Sequence, residues 1–452
     1  MSRSVIRVEL AALIHLMLPI LLTQTSQAAF GLIDTIMAGQ VSPADLAAVA
    51  IGTGLWLPAL LMLSGILMAT TPLVAEAVGA GQRDRVPTLT RQALWVALAL
   101  GLIGQILLFS APLLFAPLDV PQHLRAATTL YLHGVCWGMP AVAFYTVLRS
   151  YAEALDHPRP VTVISLIALG FSIPLNYVFI YGMGPIPAMG GAGCGYATAI
   201  MMWLMTALLA AYLSWAKWCA NVRIFNHFEH AHWPIMRQIL QLGIPIGVAI
   251  FFEASMFSIA ALVLSPLGET IVAAHQIALS VTSMLFMIPL SLAMALTIRI
   301  GQLYGAKQHQ RLMIVRRLGL WTATVLALST MLLIALFRHN MASAYTHDPT
   351  VQALAAQLLI FALAYQLVDA WQVSAAGVLR GLQDTRGPMW ITLFCYWGVA
   401  LPLGIILARV LGYGAQGFWL GLVMGLGLAS ILLAWRLRWR QQQLHLTDQS
   451  AH

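Results

Sequence analysis

Twelve long apolar stretches limit what this chain can fold into more than any other feature of its sequence. A helix that crosses a membrane needs about 20 mostly apolar residues, and its backbone must satisfy its own hydrogen bonds because lipid offers none. The pattern therefore predicts an all-α integral membrane protein with twelve transmembrane helices. The stretches cover approximately residues 10–38, 47–75, 88–112, 124–150, 161–182, 192–215, 239–266, 271–299, 314–337, 351–380, 388–408 and 414–435.

The scarcity and placement of charge exclude most soluble classes of protein. Charged residues make up only 8% of the chain, against roughly a quarter in a typical soluble protein. If both termini lie in the cytoplasm, 20 of the 23 Lys and Arg residues fall on the cytoplasmic side, as the positive-inside rule requires. We therefore expect the net charge of +8 to face the cytoplasm and anionic lipid rather than nucleic acid.

The two halves of the chain repeat each other. A shift of 226 residues places Pro19 on Pro245, and a shift of 228 places Pro174 on Pro402. Each half contains six apolar stretches, an even number, so the copies share one membrane orientation and form two parallel six-helix repeats. We expect two lobes around a central cleft, an arrangement that suits alternating access in a transporter. The expected N-terminal lobe, cytoplasmic linker and C-terminal lobe with a short polar tail cover residues 1–215, 216–238 and 239–452.

Three acidic residues, Asp34, Glu253 and Asp369, lie inside apolar stretches. An ionised carboxylate in hydrocarbon costs at least ~2.5–3.5 kcal/mol, and no Lys or Arg is expected deep enough in a stretch to pair with these three. Each acid is therefore expected to bind a transported ion or a cationic substrate, or to hold a proton. The alternative for each is a buried hydrogen-bonding group that only fixes helix packing.

Polar neighbours of the first acid form a stripe along its helix. Thr23, Gln27 and Asp34 recur at helical spacing and share one face. Under the 226-residue shift Gln27 coincides with Glu253, so the same depth is polar in both halves. We expect this depth to line the cleft.

Polar neighbours of the other acids suggest cation ligands less uniformly. Tyr365 lies four residues before Asp369 and shares its helix face, which adds a hydroxyl oxygen suited to a small cation. Asn176 follows Pro174 and could bond toward the first helix or simply fix packing. His275 is interpreted as a histidine at the membrane interface.

A resident metal site is not expected. The four cysteines are scattered and form no CxxC pair, which argues against both a disulfide framework and a zinc site. His227, His230 and His232 lie in the polar linker without cysteine or carboxylate partners, and a solvated loop is the preferred interpretation.

Several short motifs, taken together and in order, resemble the multidrug and toxic compound extrusion (MATE) family, in its NorM-like branch. The resemblance covers essentially the whole chain. The motifs are residues 33–39 (IDTIMAG), 251–253 (FFE), 265–268 (SPLG), 274–278 (AHQIA), 365–369 (YQLVD) and 378–381 (VLRG).

The resemblance implies a secondary active antiporter that exports cationic and amphipathic organic compounds, drugs and dyes among them, as Na⁺ or H⁺ moves inward. It also implies a monomer in the bacterial cytoplasmic (inner) membrane, with both termini in the cytoplasm and no cofactor or metal besides transported Na⁺. The sequence leaves the choice between Na⁺ and H⁺ open, because both are bound by the same carboxylate side chains.

The family pattern also assigns roles to particular residues. It implies cation binding at Glu253 and Asp369 with Tyr365 nearby. It places Asp34 at the centre of the N-terminal lobe, where Asn176 and Thr198 match positions of its hydrogen-bond network. Some branches carry a second acid one turn after that asparagine, where this chain has Ile180, so a carboxylate pair in this lobe is not expected.

Two other functions compete with drug export. A flippase for a lipid-linked saccharide would share the fold but should carry a basic site for pyrophosphate. A membrane-embedded enzyme would need a catalytic constellation such as HExxH, and direct use of ATP would need the loop GxxxxGK[ST]; the sequence contains neither. We therefore expect a transporter and not an enzyme.

Overall fold

The computed structural model describes residues 3–449, and the side chains of residues 4–443. Every named element in this range is helical. The first half contains α1 (Arg3–Val41), α2 (Pro43–Leu67), α3 (Thr70–Gly79), α4 (Arg85–Ser110), α5 (Gln122–Cys136), α6 (Met139–Ala154), α7 (Arg159–Tyr181) and α8 (Cys194–Trp215). The second half contains α9 (Trp233–Leu264), α10 (Glu269–Gly305), α11 (His309–Tyr345), α12 (Pro349–Gly381), α13 (Arg386–Leu393), α14 (Leu401–Ile405) and α15 (Gly414–Gln449).

The all-helical membrane fold predicted from the apolar pattern is confirmed. Within the described residues, eleven helical segments are long and apolar enough to cross a membrane. The remaining predicted span, residues 124–150, consists of two shorter helices in succession, α5 and α6. With that pair counted as one crossing, each half has six segments in the same order, as two parallel repeats require.

The break between α5 and α6 has a local cause. Pro140 lies in the first turn of α6 and lacks the backbone N–H that would continue the helix from α5. At the break, a Cβ on Gly138 would lie 2.5 Å from the sulfur of Met202 and 3.0 Å from the backbone of Ala199. The turn therefore lets this helix pair approach α8 closely.

The counterpart of α7 in the second half is less regular. Residues 386–410 begin as α13 and then include two π-helical turns, Phe394–Ala400 and Ile406–Val410, on either side of α14. Pro402 lies between the two turns and removes one backbone donor from the helix. Single π-helical turns are frequent at functional sites, and the first one here carries Tyr396.

The chain forms two compact units whose limits fall inside helices. One unit is Leu22–Gly247, and the other combines the chain up to Leu21 with the chain from Val248 onward. The predicted lobes differ from these units in two segments, the start of α1 and the start of α9. In the second unit, Leu13, Leu16 and Ile20 belong to one apolar cluster with residues of α10 and α12. In the first unit, Gly243 lies directly against the backbone of Ile66 in α2.

Candidate functional site

Asp34 of α1 lies at the centre of a complete hydrogen-bond network in the first unit. Its side chain is buried, with 7% of its surface exposed. Asn176 of α7 donates from Nδ2 to Oδ1 at 2.7 Å, and Thr198 of α8 donates from Oγ1 to Oδ2 at 2.7 Å. The structure therefore brings together the three residues of the predicted network. Ile180, at the position where other branches carry a second acid, is buried as well.

The two other predicted residues of α1 contact helices of the same unit. The hydroxyl of Thr23 lies 3.0 Å from that of Thr162 on α7. Gln27 accepts a hydrogen bond from Nη1 of Arg149 on α6 at 3.3 Å. Both side chains therefore link α1 to its neighbours, and neither touches Asp34 directly.

Glu253 of α9 lies in a second polar group, in the other unit. Tyr396 donates from its hydroxyl to Oε1 of Glu253 at 3.4 Å and to Oε1 of Gln372 at 2.7 Å. The π-helical turn that carries Tyr396 also brings Trp397 within reach of α9, where its Nε1 donates to the carbonyl of Phe252 at 3.1 Å. The irregular segment thus holds a hydroxyl donor against the acid.

Asp369 of α12 differs sharply from Asp34. Its side chain is only 1% exposed, yet neither carboxylate oxygen has a hydrogen-bond partner among the described residues. Glu253 is close enough for the two carboxylates to repel each other. Tyr365, one turn earlier on α12, is buried and packs its ring against Trp419 at a centroid distance of 5.9 Å.

Two buried arginines contradict the expectation that no Lys or Arg lies deep in the helices. Arg149 is 8% exposed and donates from Nε to Glu153 at 2.7 Å, while a further bond reaches Gln24 at 2.8 Å. Arg380 is 9% exposed and close enough to Glu253 for their charges to attract. The sequence had placed both arginines at cytoplasmic helix ends, because each lies within a turn or two of a polar connection.

Sequence reasoning also missed three uncharged or neutral partners. Tyr396 and Gln372 connect α12 to Glu253, but a tyrosine and a glutamine in apolar stretches carry no spacing signal of their own. His275 is fully buried and accepts a hydrogen bond at Nδ1 from Nε1 of Trp419 at 3.2 Å. It is therefore a core residue of the second unit, and the interfacial interpretation was wrong.

The two polar groups can do different chemistry. Asp34 has a donor on each oxygen, so protein groups already satisfy its negative charge. Asp369 has none, and a buried carboxylate without a partner is strongly disfavoured unless a cation or a proton joins it. Carboxylate and hydroxyl oxygens are hard ligands, suited to Na⁺ as well as to protonation.

A sequence model of the MatE family matches residues 19–178 and again residues 245–406. The chain belongs to the MatE family. The two matches begin 226 residues apart and end 228 residues apart, the same shifts by which the sequence repeats itself. The family model thus recognises each half of this MatE protein separately.

Named relatives and solved structures agree with this membership. "Probable multidrug resistance protein NorM" of Acinetobacter baylyi is 56% identical over 431 residues, which cover 95% of this chain and 96% of that protein. "Multidrug resistance protein MdtK" of Yersinia pseudotuberculosis is 39% identical over 441 residues, 96% of each chain. The crystal structure of the eukaryotic MATE transporter AtDTX14 matches 99% of this chain and 100% of that chain, with a TM-score of 0.90. Because the sequence identity to that structure is 18%, this likeness shows the fold alone.

Proposed function

We propose that this MatE protein is a multidrug efflux antiporter that exports cationic and amphipathic organic compounds in exchange for an inward-moving cation. Relatives named multidrug resistance proteins, matched over nearly their whole length, support the export of drugs. The single observation that carries the site is Asp369, a buried carboxylate without any hydrogen-bond partner in the described part of the chain.

The driving cation binds in the second unit, at Asp369 and beside Glu253. Two carboxylates that repel each other lower their energy when a Na⁺ ion or a proton joins them. Tyr365, one turn away on the same helix, offers a further oxygen. Asp34 keeps its two protein donors and acts mainly in the packing of the first unit.

Coupling follows from unequal binding. A cation changes the balance between two conformations only if it binds one of them more tightly. A positively charged drug and the driving cation compete for the same negative charge, so binding of one favours release of the other. The cycle needs no cofactor and no chemical step, so the protein acts as a transporter and not as an enzyme.

The proposed setting is the bacterial inner membrane, with both termini in the cytoplasm and the protein acting as a monomer. The charge distribution supports this orientation, since 20 of the 23 Lys and Arg residues then face the cytoplasm. The partners are the lipid bilayer and small cationic compounds, and nucleic acid is not among them.

Dye export from reconstituted vesicles, with Na⁺ and H⁺ gradients imposed separately, tests this function. We expect one of the two gradients to drive the export of a cationic dye, and D369N to abolish it. D348N is the matched control, because Asp348 caps the same helix at an exposed position and asparagine also caps helices. Failure of both gradients to move any cationic dye, with folded protein in the vesicles, would contradict the proposal.

A flippase for lipid-linked saccharides is the second candidate and would gain from that negative result. It is less favoured because a pyrophosphate group calls for basic side chains, whereas the unpartnered group in the second unit is a carboxylate. Movement of a pyrophosphate-linked lipid in the same vesicles separates the two functions.

A further inference from the structure

Arg380 of α12 is a buried cation in the same unit as the two acids. Its helix neighbours leave it without another counter-charge: Asp384, one turn later, is bonded by Arg436 at 2.9 and 3.0 Å. Among the described residues, Glu253 is the acid whose charge attracts Arg380, although no ion pair within 4.0 Å joins the two. The printed hydrogen bond of Arg380 is a 3.4 Å contact from Nε to the carbonyl of Ala376.

The internal repeat shows the same arrangement in direct contact. The sequence Val147-Leu148-Arg149 on α6 recurs as Val378-Leu379-Arg380 on α12. In the first unit this arginine bonds Gln27, and Gln27 is the repeat counterpart of Glu253. Each half therefore directs a buried arginine from its fourth crossing toward the same depth of its first crossing.

The halves differ in which acid balances the arginine. In the first half Glu153 supplies the negative charge at 2.7 Å, and the position facing the arginine is the neutral Gln27. In the second half the acid four residues after the arginine is Asp384, which pairs with Arg436 instead. The position that faces Arg380 is now acidic, as Glu253.

From this comparison we propose that Arg380 is the resident counter-cation of Glu253 and thereby limits the second unit to one monovalent cation, held at Asp369. Two carboxylates and one guanidinium leave a single negative charge. Without Arg380 the same group would carry two negative charges and would favour a second proton, a second Na⁺ or a divalent ion. The proposal rests on the cation site described above and adds its charge balance.

A charge-reversal series on the purified protein tests this role. The measurement is the apparent affinity and the number of driving cations bound, with ²²Na⁺ or by proton uptake in weak buffer, in a D34N background. E253Q leaves Arg380 unbalanced beside Asp369, so we expect the affinity to fall on the order of tenfold or more. The double variant E253Q/R380Q restores one net negative charge, and we expect the affinity to recover to within about threefold of the parent. R380Q alone is expected to bind two monovalent cations.

Matched variants separate charge from packing. E253Q/R380K keeps the positive charge and should remain weak, while E253Q/R380M removes the charge but keeps an apolar stem and should recover. E253Q/R386Q removes an exposed arginine five residues or more from the acids and should not recover. If both charge-removing double variants fold, as judged by thermal unfolding, and bind no better than E253Q, the proposal is overturned. If the parent binds neither cation, or D369N binds as well as the parent, the proposed function fails instead.

Discussion

A carboxylate inside a membrane-spanning helix needs something to balance its charge, and this protein balances three of them in three ways. Asp34 has two neutral donors at 2.7 Å, and Glu253 has a tyrosine hydroxyl and the charge of Arg380. Asp369 has no protein partner in the described residues. The difference assigns packing to the first acid and cation binding to the last, although the sequence presents all three alike.

The bond from Asn176 to Asp34 should be worth a modest amount of stability. We expect N176A to lower the free energy of unfolding by about 1 kcal/mol, because polar bonds between membrane helices are typically worth about 0.6–1.7 kcal/mol. Thermal unfolding of the detergent-purified protein checks this. N221A, which removes an exposed asparagine of the linker, is the control and should change little. A loss in N221A equal to that in N176A would refute the packing role.

At the scale of single elements, α6 carries the most costly local interaction. Arg149 and Glu153 are four residues apart and both buried, so each compensates a charge that would otherwise be expensive. We expect E153Q to lower the free energy of unfolding by about 3–5 kcal/mol, because it leaves a buried guanidinium without its acid.

The pair between Arg91 and Glu229 provides the contrast. Its bond is also 2.7 Å, but the two side chains are 12% and 31% exposed. We expect E229Q to cost no more than about 1 kcal/mol in the same thermal measurement. Equal losses in E153Q and E229Q would contradict the account of α6.

Close packing of α15 against α14 depends on a glycine. A Cβ on Gly421 would lie 2.5 Å from the backbone of Gly404, which cannot move away without bending α14. We expect G421A to destabilise the protein by about 1–3 kcal/mol. G54A is the matched control, because that Cβ would meet nothing within 4 Å and alanine favours a helix interior by about 0.5–1 kcal/mol. A lower melting temperature for G54A than for G421A would show that this contact is not tight.

The same elements show what the sequence could and could not predict. Apolar stretches of membrane length fix the helices almost alone, and Asp34, Asn176 and Thr198 could be placed together from the family pattern. The break between α5 and α6 was missed, although Pro140 signals it, because the stretch is apolar throughout. The buried Arg149–Glu153 pair was missed because burial depends on neighbouring helices that no local pattern reveals.

At the scale of the whole molecule, the duplicated sequence carries one charge pattern with two outcomes. Both halves place an arginine on the fourth crossing, but the first half balances it with Glu153 and the second with Glu253. The repeat explains the shared geometry, and single substitutions explain the division of roles. The limits of the compact units were not predictable, because they cut through α1 and α9 where the sequence shows uninterrupted helices.

The start of α1 also joins the second unit through charge. Glu9 is fully buried and bonded by Arg299 at 2.7 and 2.9 Å, and Arg311 donates to it as well. This cluster accompanies the apolar contacts of Leu13 and Leu16. One continuous helix therefore carries a structural acid near its beginning, in one unit, and Asp34 near its end, in the other.

The most direct test of the central claim is the release of the driving cation when a cationic dye binds to the purified protein. Proton release is followed in weak buffer and Na⁺ release with ²²Na⁺. The account predicts release of about one cation by the unmodified protein, the same release by D34N, and none by D369N. Release that persists in D369N and disappears in D34N would contradict it and would move the cation site to the first unit.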